Sequence, residues 1–179
     1  MNLAAIIIET RPIPDLDKII QQHMDFLPEG TKLHIGIGEE TSYLSKIFKD
    51  ATFIKIDNEM SIERYNTLLT NPDFWDFYSK YDRVLIFQSD SMILRKGIKE
   101  FYCWDFIGAA WSWQMHGFNG GFSLRNPRIM KEICETFPYD DTLGNCDVYF
   151  SNIMHDKKIG NLAPRSAGMK FGTEAIFAL

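Results

Sequence analysis

Four short apolar segments in the first half of the chain each end in polar residues, and longer stretches with helical periodicity separate them. An apolar run bounded by turn residues is typical of a strand that is buried on both faces of a sheet. Strands that alternate with helices predict an α/β fold with a mostly parallel sheet, because parallel neighbours need a crossover connection. The predicted strands are residues 3–9, 32–38, 52–56 and 83–88.

The remaining segments complete a single predicted domain. Helices are expected at 15–27, 41–48, 61–70 and 73–81 and, in the second half, at 127–137 and 147–158. Ser61 is placed to cap one helix, and Pro127 opens another. Two further strands are expected at 104–111 and 120–126, and the tail at 162–177 reads as irregular. With 179 residues the chain most simply forms one domain, with a nucleotide-binding half at about 1–91 and a substrate half at about 92–179.

Composition excludes several classes of protein. A net charge of −5 argues against a nucleic-acid partner, which normally meets a basic face. No run of 18 apolar residues exists, so no transmembrane helix is expected. The three cysteines are odd in number and widely spaced, which indicates reduced thiols in the cytoplasm rather than a disulfide framework or a zinc site.

Polar clusters follow three of the predicted strands, at 9–11, 57–58 and 88–91. Ligands of open α/β sheets bind outside the carboxyl ends of the strands, so these clusters are expected to face one crevice. Asp, Asn and Ser also favour plain turns, and the residues alone leave both interpretations open. Asp90 has no Gly or Pro beside it, which favours a ligand-binding role.

Neither of the common glycine-rich phosphate-binding motifs occurs in the chain. A nucleotide bound at the strand ends would therefore need another means of neutralising its phosphates. A divalent cation held by a carboxylate provides one, and oxygen ligands suit Mg²⁺ or Mn²⁺. Asp90 is the natural protein ligand for such a cation.

Six short motifs are spread over nearly the whole chain. They are Glu9-Thr10-Arg11-Pro12, Tyr65-Asn66-Thr67-Leu68-Leu69, Phe87-Gln88-Ser89-Asp90-Ser91, Asp105-Phe106-Ile107-Gly108-Ala109-Ala110-Trp111, Asn119-Gly120-Gly121-Phe122-Ser123-Leu124-Arg125 and Asn145-Cys146-Asp147-Val148-Tyr149-Phe150. Together, in this order, they resemble a family of GT-A-type glycosyltransferases. Similar domains are encoded by large DNA viruses, which leaves a viral origin open.

The resemblance implies a GT-A-like fold, a nucleotide-sugar donor, most often a UDP-sugar, and a metal bound at a D-x-D-like motif. Gln88 stands where the first Asp of that motif is expected, so Asp90 alone remains as the predicted metal ligand. On position alone Arg11 is equally a surface arginine. The residues that the resemblance places on the donor side are Thr10, Arg11, Tyr65, Asn66, Gln88, Ser89 and Asp90.

Sugar transfer to a hydroxyl needs a base. The resemblance points to Asp147, although a first-turn acid favoured by the helix dipole explains the same residue. Cys146 replaces the family's Glu, so a second acidic contact is lost.

Acceptor or sugar contacts are predicted for Trp111, Asn119, Gly120 and Gly121, against the alternatives of a core tryptophan and a plain turn. Trp113 and His116 lie close to Trp111 in the sequence. Glu174 resembles the acidic residue of a motif near the C-terminal end of the family.

These features together predict a metal-dependent inverting glycosyltransferase that uses Mn²⁺ or Mg²⁺. It would move a hexose or deoxyhexose, with glucose and rhamnose both open, from a UDP-sugar to a hydroxyl of a glycan or glycoprotein. One alternative is a catalytically degenerate module that binds a sugar or nucleotide. Another is a nucleotidyltransferase, disfavoured because residues 9–14 contain no glycine. The expected location is cytoplasmic, in a host cytoplasm for a viral protein, and the chain reads equally well as one domain of a longer enzyme.

Overall fold

A computed structural model describes residues 1–57, 59–93, 95–112 and 115–172. Three residues that the sequence predictions include lie outside the described residues, namely Asn58 of the polar cluster at 57–58, Trp113 and Glu174. The strands of the single sheet are β1 (Leu3–Glu9), β2 (Lys32–Ile37), β3 (Thr52–Lys55), β4 (Arg83–Phe87), β5 (Phe106–Ala110) and β6 (Phe118–Arg125). The helices are α1 (Leu16–Phe26), α2 (Leu44–Ile47), α3 (Ile62–Leu69), α4 (Pro72–Tyr78), α5 (Pro127–Thr136), α6 (Cys146–Lys157) and α7 (Arg165–Phe171), with 3₁₀ turns at Ile98–Phe101 and Asp141–Leu143.

The strands are ordered β3-β2-β1-β4-β6-β5. The first four are mutually parallel, and β6 runs antiparallel to both of its neighbours. This arrangement confirms the predicted α/β class with a mostly parallel sheet flanked by helices. β1 and β4 occupy the middle of the sheet, which explains why Val84, Leu85, Ile86 and Phe87 are all buried.

Local signals for the helix starts are confirmed where they were predicted. The Ser61 hydroxyl accepts a hydrogen bond from the backbone N–H of Arg64 at 3.2 Å and so caps α3. Pro127 occupies the first turn of α5, where its missing N–H costs nothing. No helix among the described residues has the length and apolar character needed to cross a bilayer.

The expectation of an irregular tail is wrong over Arg165–Phe171, which forms α7. The helix packs on β5 through Gly168: a Cβ atom there would lie 3.0 Å from the carbonyl oxygen of Gly108 and closer still to the Phe118 ring. Phe171 stacks on Phe122 with ring centroids 5.1 Å apart. These contacts are tertiary and leave no apolar periodicity in the sequence, so the helix was missed.

Candidate active site

A cleft of about 390 Å³ opens at the carboxyl ends of β1 and β4, between α3 and the start of α6. It draws its lining from both halves of the chain. Ten of the twelve predicted site residues lie in its walls, namely Arg11, Tyr65, Asn66, Gln88, Ser89, Asp90, Asn119, Gly120, Gly121 and Asp147. The β1–β4 crevice is the edge at which α/β sheets bind their ligands.

Glu9 anchors one wall of the cleft and was not among the predicted site residues. Its carboxylate is 5% exposed and accepts two hydrogen bonds from the Arg11 guanidinium, at 2.9 and 2.8 Å, and one from the Arg11 backbone N–H at 3.1 Å. The Ser89 hydroxyl adds another at 2.9 Å. Burial acts to raise the pKa of Glu9, but the bonds from Arg11 and Ser89 outweigh it and hold the pKa below its usual value. Glu9 is therefore ionised, and it fixes Arg11 at the cleft.

The turn after β4 presents Asp90 at its exposed tip. The Ser91 hydroxyl accepts from the Gln88 N–H at 3.2 Å and donates to the Gln88 carbonyl at 2.7 Å, which closes the turn. The Nε2 atom of His23 contacts that hydroxyl at 3.3 Å, and the His23 ring stacks on Phe87. Asp90 itself forms no hydrogen bond within the described part of the chain, so its carboxylate is available to a ligand.

Arg11 provides the positive charge opposite Asp90. The hydrogen bonds that Arg11 donates to Glu9 are the main cause that raises the pKa of Arg11, and Glu59 and Asp90 add smaller electrostatic contributions in the same direction. The Arg11 side chain remains 57% exposed although Glu9 holds it. The cleft therefore presents one carboxylate and one guanidinium at the carboxyl ends of β1 and β4.

Gln88 does not point to solvent with Asp90. Its side chain lies beside the Tyr65 phenol, and its Oε1 atom is in close contact with the position that a Cβ atom on Gly121 would occupy. Burial, reinforced by Cys146 and Asp147, raises the pKa of Tyr65 above its ordinary value, so the phenol stays neutral. The amide that replaces the expected first Asp thus forms part of the cleft floor.

Asp147 lies on the opposite wall, in the first turn of α6. Its Oδ2 atom accepts a hydrogen bond from the Gly120 N–H at 3.1 Å, and its Oδ1 atom accepts from the Val148 N–H at 2.8 Å. The neighbouring Cys146 is 4% exposed, and burial raises the pKa of its thiol to about 11. Cys146 therefore supplies no negative charge at neutral pH, and Asp147 is the carboxylate of this wall.

Arg125 lies beneath the floor of the cleft, at the end of β6. It is fully buried, its Nε atom donates to Ser123 at 3.0 Å, and its guanidinium lies 4.7 Å above the Phe106 ring centroid. Among the described residues neither terminal nitrogen of Arg125 has a hydrogen-bond acceptor. A Cβ atom on Gly120 would lie 2.9 Å from Arg125 Nη2 and 3.6 Å from the carboxyl carbon of Asp147. Gly120 is thus required by its close approach to two charged groups.

The side chains that line the cleft do not suit a metal ion held by the protein alone. No group of three His, Cys, Asp or Glu side chains with metal-binding geometry occurs in the described ranges. Mg²⁺ and Mn²⁺ are often held by one or two carboxylates together with substrate phosphates. The exposed carboxylate of Asp90 fits that second arrangement, in which the cation arrives with a diphosphate.

Two predicted site residues lie outside the cleft. Thr10 lines an adjoining cavity of about 350 Å³, where its hydroxyl accepts a hydrogen bond from the Met60 N–H at 3.0 Å. Arg11 lines both spaces, so Thr10 remains next to the cleft. Trp111 is 3% exposed and packs against Gly117. It does not present an aromatic face in the cleft.

The residues in or beneath the cleft for which the sequence predicts no individual role include Glu9, Arg125 and Asn145. All three belong to the motifs that were already identified, so the motifs contained the signal. What the sequence did not show is which member of each motif turns into the cleft. Asn145 lines the cleft beside Asp147, and Arg125 lies below Gly120.

Comparison with known protein families gives one assignment. Residues 49–179 match a family model described as a protein of unknown function, DUF5672. The chain belongs to this family. The matched segment carries β4, β6 and α6, and with them Asp90, Gly120 and Asp147. No curated protein sequence matches the chain.

Solved structures similar to this DUF5672 chain include two glycosyltransferases. The apo form of GlyE from Streptococcus pneumoniae TIGR4 is 14% identical with a TM-score of 0.56, over 91% of this chain and 45% of GlyE. The mannosyltransferase PcManGT from Pyrobaculum calidifontis, in complex with GDP-Man and Mn²⁺, is 8% identical with a TM-score of 0.59, over 90% of this chain and 54% of PcManGT. The chain shares their fold and spans about half the length of each.

Proposed function

We propose that the chain is a metal-dependent inverting glycosyltransferase that moves a sugar from a UDP-sugar to a glycan hydroxyl. The observation that carries the proposal is that Asp90, at the tip of β4, and Asp147, at the start of α6, line one cleft although 57 positions separate them in the chain. One carboxylate is exposed and suits a cation–diphosphate pair, and the other is half-buried and suits proton transfer. Similarity of fold to two glycosyltransferases supports the same reaction class.

The donor diphosphate would lie between Asp90 and Arg11. A divalent cation held there by Asp90 would neutralise the charge that develops on the departing diphosphate. Arg11, fixed by Glu9, supplies a second positive charge on the same side. Gly120 and Gly121 line the same cleft, so the sugar would lie against their backbone.

Transfer would proceed by in-line displacement. Asp147 accepts the proton of the acceptor hydroxyl while that oxygen forms a bond to the anomeric carbon. The bond from the anomeric carbon to the phosphate oxygen breaks, and UDP leaves with the electron pair. Attack from the face opposite the leaving group inverts the anomeric configuration. One base and one diphosphate site are sufficient for this scheme.

A binding module without turnover is the second candidate. Two features of the cleft favour it: the neutral Gln88 stands where the first acid of the metal motif is expected, and the neutral thiol of Cys146 precedes Asp147. Such a module would bind the nucleotide or sugar without transferring it. The three unpaired cysteines agree with a reducing, cytoplasmic location for either candidate.

Calorimetric titration tests the proposal. UDP should bind in the presence of Mn²⁺ and bind much more weakly in its absence, and GDP is the competing nucleotide because PcManGT is in complex with GDP-Man. D90A should abolish the metal-dependent part of binding. D147N should retain binding and lose transfer by about 10²-fold or more, whereas D73N, which changes an exposed first-turn acid on α4, should behave like the wild type.

The outcomes separate the candidates. Metal-dependent UDP binding without transfer from any donor supports the binding module. Unchanged transfer by D147N contradicts the assignment of the base. UDP binding that does not depend on the metal and is unchanged in D90A would show that Asp90 is not part of the site.

A further inference from the structure

Asn66 joins the two walls of the cleft. It lies on α3, is 8% exposed, and bonds with both ends of its amide to the start of α6. Its Oδ1 atom accepts a hydrogen bond from the Cys146 N–H at 3.0 Å, and its Nδ2 atom donates to Asn145 Oδ1 at 3.1 Å. The family resemblance places Asn66 on the donor side, but both of these bonds run to the opposite half of the chain.

α6 differs from the helices around it in how its first turn is capped. In α3, α4 and α5 the residue before the helix caps its own helix: Ser61, Asn71 and Asn126 each accept a hydrogen bond from a backbone N–H two or three positions later. Asn145 occupies that position in α6 and makes no such bond. Asn66 instead satisfies the Cys146 N–H from another helix. The Asp147 carboxylate accepts from the Val148 N–H within the same turn, so the first turn of α6 depends on the tertiary contact for its Cys146 N–H.

Asp147 is the residue that this contact controls. It directly follows Cys146 and reaches across to the Gly120 N–H at 3.1 Å. A first turn without its external acceptor would leave the Cys146 N–H unsatisfied in a buried position, and the turn would loosen to reach water. Any such movement displaces the Asp147 carboxylate.

We propose that Asn66 is a positioning residue that holds the first turn of α6, and through it Asp147, in place against Gly120. Its meaning for catalysis rests on the proposed function, in which Asp147 is the base. The positioning itself is a property of the fold and holds for any ligand of the cleft.

A direct nucleotide contact and a positioning role have different kinetic consequences. A lost nucleotide contact weakens donor binding and raises KM for the donor. A misplaced base leaves the donor site intact and lowers kcat, since a shift of about 1 Å at a reacting group costs on the order of 10²-fold. We therefore expect N66A to lower kcat by about 10- to 100-fold with KM for the donor within about twofold.

N66D supplies the conservative rescue. Its carboxylate can still accept from the Cys146 N–H, and a negative charge is favoured at a helix N-terminus. The Asn145 amide can rotate to donate to it. N66D should recover most of the kcat lost in N66A, whereas a lost nucleotide contact would not be restored by adding a negative charge beside a diphosphate. T67A, on the same helix and one position away, is the control and should match the wild type.

Hydrogen exchange of the amides of residues 146–148 provides a test that does not depend on transfer. In N66A the hydrogens of these amides should exchange at least about tenfold faster than in the wild type. In N66D and T67A their exchange rates should equal those of the wild type. N145A, which removes only the partner of the Asn66 Nδ2 atom, should give a smaller change in the same direction and serves if N66A fails to fold. Unchanged exchange in both N66A and N145A, or a raised KM with unchanged kcat, overturns the inference. If the wild type transfers no sugar, the proposed function fails while the exchange rates still decide the role of Asn66.

Discussion

The hydroxyl of Ser89 donates a hydrogen bond to the carboxylate of Glu9 over 2.9 Å, and so joins the tips of the two central strands. The same carboxylate accepts both a side-chain fork and a backbone N–H from Arg11. Charge-assisted bonds of this kind are stronger and more directional than neutral ones. Glu9, held by Ser89, therefore sets where Arg11 lies relative to Asp90.

We expect E9Q to weaken UDP binding about tenfold, which corresponds to about 1.4 kcal/mol. The glutamine amide can accept with only one oxygen, and its NH₂ group opposes the donors of Arg11. Arg11 then loses its fixed position without losing its charge. Titration calorimetry measures the change, and E29Q, an exposed acid after α1, is the control. Binding equal to the wild type would show that Arg11 does not face the nucleotide.

G120A should unfold more easily than the wild type by about 1–3 kcal/mol, because its methyl group would contact Arg125 and Asp147. Both neighbours are held by other contacts and yield only at a cost. Urea denaturation measures the free energy of unfolding. G172A is the matched control, since a Cβ atom there would meet its nearest neighbour at 3.5 Å, an ordinary contact distance. Equal stabilities of G120A and G172A would contradict the close approach at Gly120.

R125K should destabilise the fold by about 2 kcal/mol even though the charge is kept. Lysine cannot spread a planar cation over the rings of Phe106 and Phe150, and it has no Nε atom to donate to Ser123. Thermal and urea unfolding measure the loss. R128K, an exposed position three residues further along the chain, should change stability by less than about 0.5 kcal/mol. A stability like that of R128K would mean that the stacked guanidinium contributes little.

Stability should fall as the pH is lowered from about 6.5 towards 4, because burial lowers the pKa of His34 to about 4. Within this window the unfolded chain binds a proton at His34 and the folded chain does not, so protonation favours unfolding. The effect reaches at most about 3 kcal/mol. His23, whose pKa is also lowered by burial, acts in the same direction.

The free energy of unfolding, measured in urea at several pH values between 7 and 4.5, tests this expectation. H34Q should flatten the pH dependence, whereas T67A, which changes an exposed side chain that does not titrate, should leave it unchanged. Measurements stay above pH 4.5 because Glu9, with its lowered pKa, loses its contribution only as the pH falls below the usual range for a carboxylate. An unchanged slope in H34Q would mean that His34 titrates normally.

Much of this architecture follows from local patterns. The apolar run at Val84–Phe87 predicts a strand in the middle of the sheet. The polar residues after it predict a ligand-binding site, because ligands of α/β sheets bind outside the carboxyl ends of the strands. The start of α3 follows from Ser61, and that of α5 from Pro127. In each case the determining interaction lies within a few residues of chain.

Other features depend on residues that are distant in sequence. α7 exists because Gly168 fits against Phe118, and the first turn of α6 is capped by a residue 80 positions earlier. Trp111 could equally have formed a sugar platform, and its burial against Gly117 excludes it from the cleft. Side-chain chemistry alone does not say which of two neighbours turns inward.

The sequence by itself determined the α/β class, the mostly parallel direction of the strands and most of the motifs that line the candidate site. These depend on hydrophobic periodicity and on turn and cap chemistry, which act over short stretches of chain. Only the tertiary structure decided that Glu9 holds Arg11, that the Gln88 amide lies against Gly121, and that Asn66 accepts from the turn that carries Asp147. The contacts of Gln88 and Asn66 join different elements, and Glu9 is also held by Ser89 at the end of the neighbouring strand, so these contacts depend on how the sheet and helices pack.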